Sequence, residues 1–407
     1  MRQKKLILSI IAAMILFAGC APSFEEADDS LATPDKILQV AQGNNGFAFD
    51  LYRIYKEKDG NLFYSPYSIY ANMAIAYEGA AGTTASEMAE VFKFPADDTR
   101  RPGFAALYNS LNRKNEEYML STANALWAQE NYGFLPEYLE ISKNYYGGNV
   151  KNLNFGEPEP ARLEINKWVE ENTNQKIKDL LPAGSIDSMT RLVITNAIHF
   201  KGSWVTPFIK DKTADRDFFI AKDNKVTAKM MSVGKAKEFK YMKEKGYQAI
   251  ELPYKGEKVS MLILLPELGT IEEFEDSLDE GVLESVDSKL QSQKVSVMVP
   301  KFKFNTKYFM SQDLQQMGMK QAFTSGADFS GMTGTKDLYI SFVIHQAFID
   351  VYEEGTEAAA ATGTGIGTTS MPIQEYFIAD HPFIFMITDE ETGLILFLGR
   401  LSNPCKG

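Results

Sequence analysis

Apolar residues recur at helical spacing along the first part of the chain. From Ile37 to Tyr55 they occupy one helical face, and the preceding Thr33-Pro34-Asp35 is typical of a helix start. A hydroxyl can cap the first turn, and proline is tolerated there. Ser65-Pro66 predicts a second helix start of the same kind. Thr84 and Glu87 have capping-box spacing, which predicts a third.

Continuous apolar runs predict buried strands in the rest of the chain. The runs are Leu120–Ala128, Arg191–Phe200, Val259–Pro266, Val295–Pro300, Phe383–Thr388 and Leu394–Leu401. The last two flank Asp389–Gly393, which is typical of a hairpin turn. Helices come first and strands dominate the end, without regular alternation, so we predict an α+β fold. Length alone favours two or three domains, but no linker divides residues 31–407.

The composition is that of a globular protein, with 44% hydrophobic and 24% charged residues. Its net charge of -12 disfavours nucleic acid as a partner, because phosphates need clustered Lys and Arg. The three histidines, His199, His345 and His381, each lie in or beside an apolar strand-like segment and lack metal-site spacing. No G-x-S-x-G elbow exists either. We therefore expect no metal, no cofactor and no enzyme, although a surface-anchored hydrolase on an unrelated fold is the alternative.

The first twenty residues predict an export signal. Arg2, Lys4 and Lys5 precede an apolar run that is too short to span a bilayer. The run ends in F-A-G-C, which resembles a bacterial lipobox with Cys20 as the lipidated residue. We expect residues 1–20 to be a signal peptide and residues 21–33 an acidic tether in the cell envelope, periplasmic or surface-exposed. The alternative is an ordinary secretory signal and an extracellular protein. If Cys20 carries lipid, Cys405 is left alone, so no intrachain disulfide is expected.

One stretch near the C-terminus contains acids, a glycine and then only small residues. It reads E-E-G-T-E-A-A-A-A-T from Glu353 to Thr362. As a strand it would show small or β-branched residues on one face, and on the other a single charge, Glu357. The face of small residues comprises Thr356, Ala358, Ala360, Thr362, Thr364, Ile366 and Thr368. The alternatives are a plain surface loop or a helix, but the glycines and threonines that follow disfavour a helix.

Several sequence motifs in a fixed order resemble those of the serpin family. They are N-L-F-Y-S-P-Y-S from Asn61, G-A-A-G-T-T from Gly79, T-N-A-I-H-F-K-G-S-W from Thr195, G-A-D-F-S-G-M from Gly326 and D-H-P-F-I-F from Asp380. The resemblance covers nearly everything after Asp35. It implies one domain, residues 34–404, with N-terminal helices, a large central mixed sheet that accepts a reactive-centre loop at about 353–376, and two further β-sheets. It also implies a monomer that inhibits proteases.

The resemblance implies a suicide mechanism in which a protease cuts the loop and the loop then inserts into the central sheet. The hinge of that loop would be Glu353, Glu354, Gly355, Thr356, Glu357, Ala358, Ala359, Ala360, Ala361 and Thr362. In this family the scissile bond usually follows about the fifteenth residue, counted from the hinge glycine. Counting Gly355 as the first residue places the cut at Thr369–Ser370, with Thr368 and Met371 as alternatives.

The loop sequence also bears on which protease is trapped. No Lys or Arg lies between Gly355 and His381, which disfavours trypsin-like enzymes. Threonine suits elastase-like or subtilisin-like serine proteases, whereas Met371 would suit a chymotrypsin-like one. Papain-like cysteine proteases remain an alternative target. A non-inhibitory serpin acting as a binding module is a further alternative.

The resemblance also implies residues that control opening of the sheet. Glu353 should pair with Lys301, and Trp204 should pack where the loop first enters. Ser65, Ser68, Asn196 and His345 should form a polar cluster at the centre of the sheet. Plain stabilisation of the core is the alternative role for each of these residues.

Overall fold

The computed structural model describes residues 25–113, 117–356 and 375–406. The expected signal peptide, with Cys20, lies outside these ranges. So do the hinge residues from Glu357 to Thr362 and the candidate scissile positions Thr368, Thr369, Ser370 and Met371. Within the described ranges, no helix is long and apolar enough to cross a membrane.

The described residues form ten α-helices, and the first six of them precede Thr173. They are α1 (Pro34–Tyr55), α2 (Pro66–Tyr77), α3 (Gly82–Phe92), α4 (Asp97–Asn112), α5 (Pro136–Tyr146), α6 (Pro158–Asn172), α7 (Ile271–Ser277), α8 (Glu280–Lys289), α9 (Ser311–Met317) and α10 (Ser330–Thr333). The predicted starts of α1 and α2 are confirmed, because the hydroxyls of Thr33 and Ser65 cap them. Both caps depend only on residues next to each other in the sequence.

The capping box predicted at Thr84 and Glu87 is wrong. Helix α3 begins earlier, and its N-cap, Ala81, has no side chain that could accept a hydrogen bond. The Thr84 hydroxyl instead accepts a hydrogen bond from the Asp328 N–H at 2.9 Å. The Glu87 carboxylate accepts one from the Gln321 N–H at 2.6 Å. Both side chains therefore hold a distant segment against α3 rather than capping their own helix.

The described residues also form sixteen strands. They are β1 (Leu62–Tyr64), β2 (Tyr118–Gln129), β3 (Asn149–Leu153), β4 (Leu192–Ser203), β5 (Ala214–Ala221), β6 (Asn224–Ser232), β7 (Lys237–Glu244), β8 (Tyr247–Pro253), β9 (Val259–Pro266), β10 (Gln291–Pro300), β11 (Phe302–Phe309), β12 (Ile340–Tyr352), β13 (Gly355–Thr356), β14 (Glu375–Ile378), β15 (Phe383–Asp389) and β16 (Ile395–Leu401). Each strand predicted from an apolar run is present, and the hairpin joins β15 to β16.

Among the described residues, six strands form a central mixed sheet in the order β11-β12-β13-β4-β2-β3. Strands β12 and β4 are parallel, as are β2 and β3, and the other pairs are antiparallel. The α+β class and the central mixed sheet are confirmed. The ten remaining strands form one hydrogen-bonded sheet where two are expected. The reason is that β10 pairs with β7 through Gln291–Val295 and with β6 through Met298–Pro300.

One face of the central sheet packs on the second sheet, and α6 packs on part of the other face. On one face, Phe63 of β1 stacks on Phe397 of β16 with ring centroids 5.1 Å apart and meets Phe304 of β11 edge-on at 6.1 Å, which joins the two sheets. On the other face, Trp127 of β2 meets Trp168 of α6 edge-on at 5.3 Å. A strand added to the middle of this sheet would therefore have its inward face buried against the second sheet, and its outward face would lie on the side of α6.

Candidate functional site

Strands β4 and β12 lie side by side at the middle of the central sheet. They pair in parallel from Leu192 and Ile340 to His199 and Phe348. Beyond that point the two strands separate, and the short strand β13 lies between them. The sheet therefore has a seam that is closed along most of its length and open at one end.

The described start of the hinge occupies the open end of the seam. Thr356 pairs antiparallel with Val351 of β12 on one side and with Gly202 of β4 on the other. Gly355 and Thr356 are both buried. The first two residues of the predicted insertion are thus already in the sheet.

Gly355 is required by a close approach of two backbones. A Cβ atom at this position would lie 2.0 Å from the carbonyl oxygen of Gly202 and 2.7 Å from the Cα of Ser203. Any side chain would push β13 out of the seam. The small residue that the sequence places here is therefore explained by packing against β4.

Trp204 packs where the hinge enters the sheet, as predicted. It is 2% exposed, and its indole N–H donates to the carbonyl oxygen of Tyr352 at 3.0 Å. Its backbone N–H donates to the carbonyl oxygen of Glu354 at 2.9 Å. One face of the indole stacks on Tyr254 with ring centroids 4.4 Å apart. Trp204 thus holds the turn that joins β12 to β13, and its role in sheet opening stays a prediction.

The ion pair predicted between Glu353 and Lys301 is present. The Lys301 Nζ lies 2.9 Å from the Glu353 carboxylate, whose side chain is 7% exposed. The Thr213 hydroxyl donates to the same carboxylate at 2.7 Å. Burial raises the pKa of Glu353, but the hydrogen bonds from Lys301 and Thr213 outweigh it and hold the pKa below its usual value. The next acid, Glu354, pairs with Lys210.

The predicted polar cluster lies under the closed part of the seam. The Ser65 N–H donates to Nε2 of His345 at 3.1 Å, and Nδ1 of His345 is hydrogen-bonded to the side-chain oxygen of Asn196. The Asn196 amide donates to the Ser68 hydroxyl at 2.7 Å and to the Asn124 side-chain oxygen at 2.8 Å. Since His345 is on β12 and Asn196 on β4, their hydrogen bond joins the two strands that form the seam.

His345 is uncharged in this cluster. Burial lowers its pKa to about 3, although the hydrogen bond with Asn196 raises it. Because Nε2 accepts from the Ser65 N–H, the single ring proton lies on Nδ1 and is donated to Asn196. A second proton would have to be placed on Nε2, where it would point at the N–H of Ser65 and break that hydrogen bond. The hydrogen bonding of the cluster therefore also opposes protonation of His345.

Sequence reasoning missed four residues of this site. Asn124 belongs to the polar cluster, and Tyr254 stacks on Trp204. Thr213 hydrogen-bonds to Glu353, and Lys210 forms an ion pair with Glu354. One signal existed for Asn124, which is an amide in the middle of the apolar run Leu120–Ala128. The other three lie on connections or strand ends that show no pattern.

The central sheet thus has a short strand, β13, between the ends of the two parallel strands β4 and β12. A family model described as Serpin (serine protease inhibitor) matches residues 42–404. The chain belongs to the serpin family.

Similar proteins cover almost the whole chain. An uncharacterized serpin-like protein of Thermococcus kodakarensis is 40% identical, over 100% of both chains. The human leukocyte elastase inhibitor is 39% identical, over 90% of this chain and 100% of that protein. Among solved structures, Serpin48 of the insect Tenebrio molitor is 33% identical with a TM-score of 0.82, covering 90% of this chain and 98% of that one.

Proposed function

We propose that the chain is an inhibitory serpin that traps a serine protease as a covalent acyl-enzyme. The observation that carries the proposal is the placement of β13 between β12 and β4, with the seam below it still closed. A loop that has started to enter the sheet, and has not finished, is the loaded state that a suicide inhibitor needs. Cleavage of the loop would release its hinge end to continue.

The register of β13 supports insertion of the residues that follow. Continuing the pairing of Thr356 with Val351 would bring Thr362 between His345 and Asn196. A threonine would then stand at the level of the polar cluster, where parting of the seam removes the His345–Asn196 hydrogen bond. The small residues of the hinge would face the buried side of the sheet, as the sequence alternation predicts.

Insertion of the cleaved loop would release the free energy that distorts the active site of the attached protease. About a dozen new ladder hydrogen bonds, each worth about 1 kcal/mol net, would form between the inserted strand and its two neighbours. A strand of about 14 residues at about 3.3 Å each would carry the attached protease roughly 45 Å. An acyl-enzyme pulled out of line with its oxyanion hole loses several kcal/mol of transition-state stabilisation, so the ester persists.

The target we propose is an elastase-like or subtilisin-like serine protease, cut at Thr369–Ser370. The sequence of the loop supports this, since it contains no basic residue. The relative named leukocyte elastase inhibitor supports it as well. A chymotrypsin-like cut after Met371 and papain-like cysteine proteases are the alternatives. We also propose that Cys20 anchors the protein by lipid in a cell envelope, a proposal supported by the lipobox alone.

The test is incubation with porcine pancreatic elastase and with subtilisin, followed by denaturing electrophoresis and mass spectrometry of the released C-terminal peptide. We expect an adduct that survives SDS, and a peptide that begins at Ser370. The matched control is the same protease with its catalytic serine replaced by alanine, which should give no adduct. Complete turnover into cut chain, with no adduct from any protease tested, would contradict the proposal.

A further inference from the structure

Strand β14, which follows the reactive-centre loop, presents two large apolar side chains to solvent. Tyr376 is 56% exposed and Ile378 is 37% exposed. Phe377, between them, is fully buried and meets Tyr241 edge-on, with ring centroids 6.5 Å apart. The strand also pairs with β10 along its whole length. It is therefore anchored by its inward side chain and its backbone, and the exposed pair stands on a fixed support.

The exposed pair belongs to a row of apolar side chains across this end of the sheet. In the register between β14 and β10, Ile378 lies beside Met298, which is half-buried. Met298 in turn lies beside Ser232 of β6, so the three side chains share one face. On the other side of Ser232, the Ile209 N–H donates to its carbonyl oxygen at 2.9 Å, and Ile209 is 43% exposed. We call Ile209, Met298, Tyr376 and Ile378 the sheet patch.

The sheet patch lies between the two points where the reactive-centre loop begins and ends. The N–H of Phe208, the residue before Ile209, donates to the carbonyl oxygen of Glu353 at 2.8 Å, just before the hinge enters the central sheet. At the other end, the chain that follows the proposed cut returns as β14, which carries Tyr376. Residues 357–374 connect these two points, so the patch is at the base of the loop.

A protease that holds the proposed scissile bond is large enough to reach the sheet patch. Tyr376 is the sixth residue after Ser370, so even a fully extended chain places it no more than about 21 Å away. A globular protease of about 220 residues has a radius of gyration of about 17 Å. Its primed side, which binds the residues that follow the scissile bond, therefore extends over the patch.

We propose that the sheet patch is a second contact surface for the trapped protease. It would bind an apolar rim on the primed side of the protease cleft, with Tyr376 as the principal contact. The proposal rests on the proposed function, because it takes the protease as the partner. A firmly held tyrosine with aliphatic neighbours is typical of residues that carry binding energy at protein interfaces. Since Thr369 and Ser370 offer a protease little side-chain surface, the patch adds selectivity that the cut site lacks.

The patch and the protease stay in contact only until the loop inserts. In the acylation step, the protease serine oxygen bonds to the Thr369 carbonyl carbon, the bond to the Ser370 nitrogen breaks, and that nitrogen takes up the serine proton. The protease then travels with Thr369, whereas Tyr376 stays on β14. The patch should therefore raise the rate of capture and leave the lifetime of the adduct unchanged.

The second-order rate constant for adduct formation tests this, measured on the full chain with subtilisin and with porcine pancreatic elastase. Tyr376→Ala should lower the constant at least about fivefold for one or both proteases. Tyr376→Phe keeps the ring and should stay within about twofold of the native protein. The fraction of chains trapped rather than cut, and the half-life of the adduct, should be unchanged in both variants.

Phe309→Ala is the matched control. Phe309 is 50% exposed, close to the 56% of Tyr376, but it lies at the end of β11 in the central sheet. Its loss should leave the rate constant unchanged. An equal fall for Phe309→Ala and Tyr376→Ala would show that the loss of any exposed ring slows capture, and would overturn the proposal.

The remaining outcomes separate the patch from the proposed function. If Tyr376→Ala forms the adduct at the native rate with both proteases, the patch is not a contact surface and the proposed function stands. If the native protein forms no adduct with any protease tested, the proposed function is wrong and the patch proposal is wrong with it. A native dimer that Tyr376→Ala converts to a monomer would assign the patch to a second copy of the chain, which also overturns the proposal.

Discussion

The hydroxyl of Thr356 lies 2.7 Å from the hydroxyl of Tyr254, inside the molecule. Thr356 is 1% exposed and already has strand neighbours on both sides. Its side chain therefore sets which face of the inserting strand turns inward. If the strand continued beyond Thr356, its even-numbered residues would face the core of the protein. Its odd-numbered residues would face α6 and solvent.

Together with the proposed function, this orientation predicts that Ala358→Arg is cut by the protease as a substrate and no longer traps it. Continuing the register places Ala358 beside Ile349 and Phe200, both 1% exposed. An unpaired charge buried there costs several kcal/mol, so insertion should stall and the protease should escape. The measurement is the ratio of cut chain to SDS-stable adduct, which should rise at least tenfold.

Glu357→Arg is the control for that variant. The same register places residue 357 beside Asp350 and Lys201, which are partly exposed. An arginine there can reach water and the Asp350 carboxylate, so the adduct should still form. Equal loss of adduct in both variants would show that the charge, rather than the inward face, is responsible.

Thr362→Val should weaken the inserted form. When the seam parts, His345 and Asn196 lose each other as hydrogen-bond partners. A threonine hydroxyl arriving between them can bond to either, and a valine of similar shape leaves them unsatisfied at a cost of about 1–3 kcal/mol. The measurement is the guanidinium midpoint of the cleaved protein, which should fall.

Thr364→Val provides the matched comparison for Thr362→Val. Residue 364 has the same inward orientation, but its neighbours would be Val343 and Ile194, which are buried and apolar. The valine should be neutral or stabilising there. If both valine variants shift the midpoint of the cleaved protein equally, the hydroxyl at 362 has no special partner and the register is wrong.

Lys301→Met should loosen the hinge. It leaves the Glu353 carboxylate buried with only the Thr213 hydroxyl as a side-chain partner, which costs about 1–3 kcal/mol. We expect a lower unfolding midpoint of the uncut protein and faster spontaneous insertion. Lys303→Met is the control, because Lys303 is 63% exposed and its pair with Asp350 is worth under about 1 kcal/mol. A larger effect from Lys303→Met would reverse this ranking.

The sequence predicts well those features that depend on neighbouring residues. The caps at Thr33 and Ser65 and the strand Val259–Pro266 are of this kind. Thr84 and Glu87 mislead, because a hydroxyl and a carboxylate suited to a local cap instead bind backbone more than 200 residues away.

The site itself depends on contacts across the chain. Glu353 with Lys301, and His345 with Asn196, follow from the family resemblance and not from spacing. Tyr254 is 102 residues from Thr356, and nothing in the sequence around it indicates that the two hydroxyls meet. Such contacts are set by the register between strands, which short-range patterns do not determine.

Acid should destabilise the uncut protein through His345. Its pKa is about 3 in the fold and about 6.5 in an unfolded chain, so the unfolded state binds the extra proton first as the pH falls. The contribution of a neutral His345 to stability is complete above about pH 6.5 and is lost at up to about 1.4 kcal/mol per unit between there and pH 3.

Guanidinium unfolding at pH 7 and pH 5 measures this loss. We expect the stability of the native protein to drop by about 2 kcal/mol more than that of His345→Gln, which has no ring to titrate. His381→Gln, measured in the same way, reports the effect of replacing a histidine that lies away from the seam, where its ring hydrogen-bonds to Asp380 and the Pro266 carbonyl. If His345→Gln lost stability between pH 7 and pH 5 as steeply as the native protein, then protonation of this ring would not be what loosens the cluster, and acid would act elsewhere in the fold.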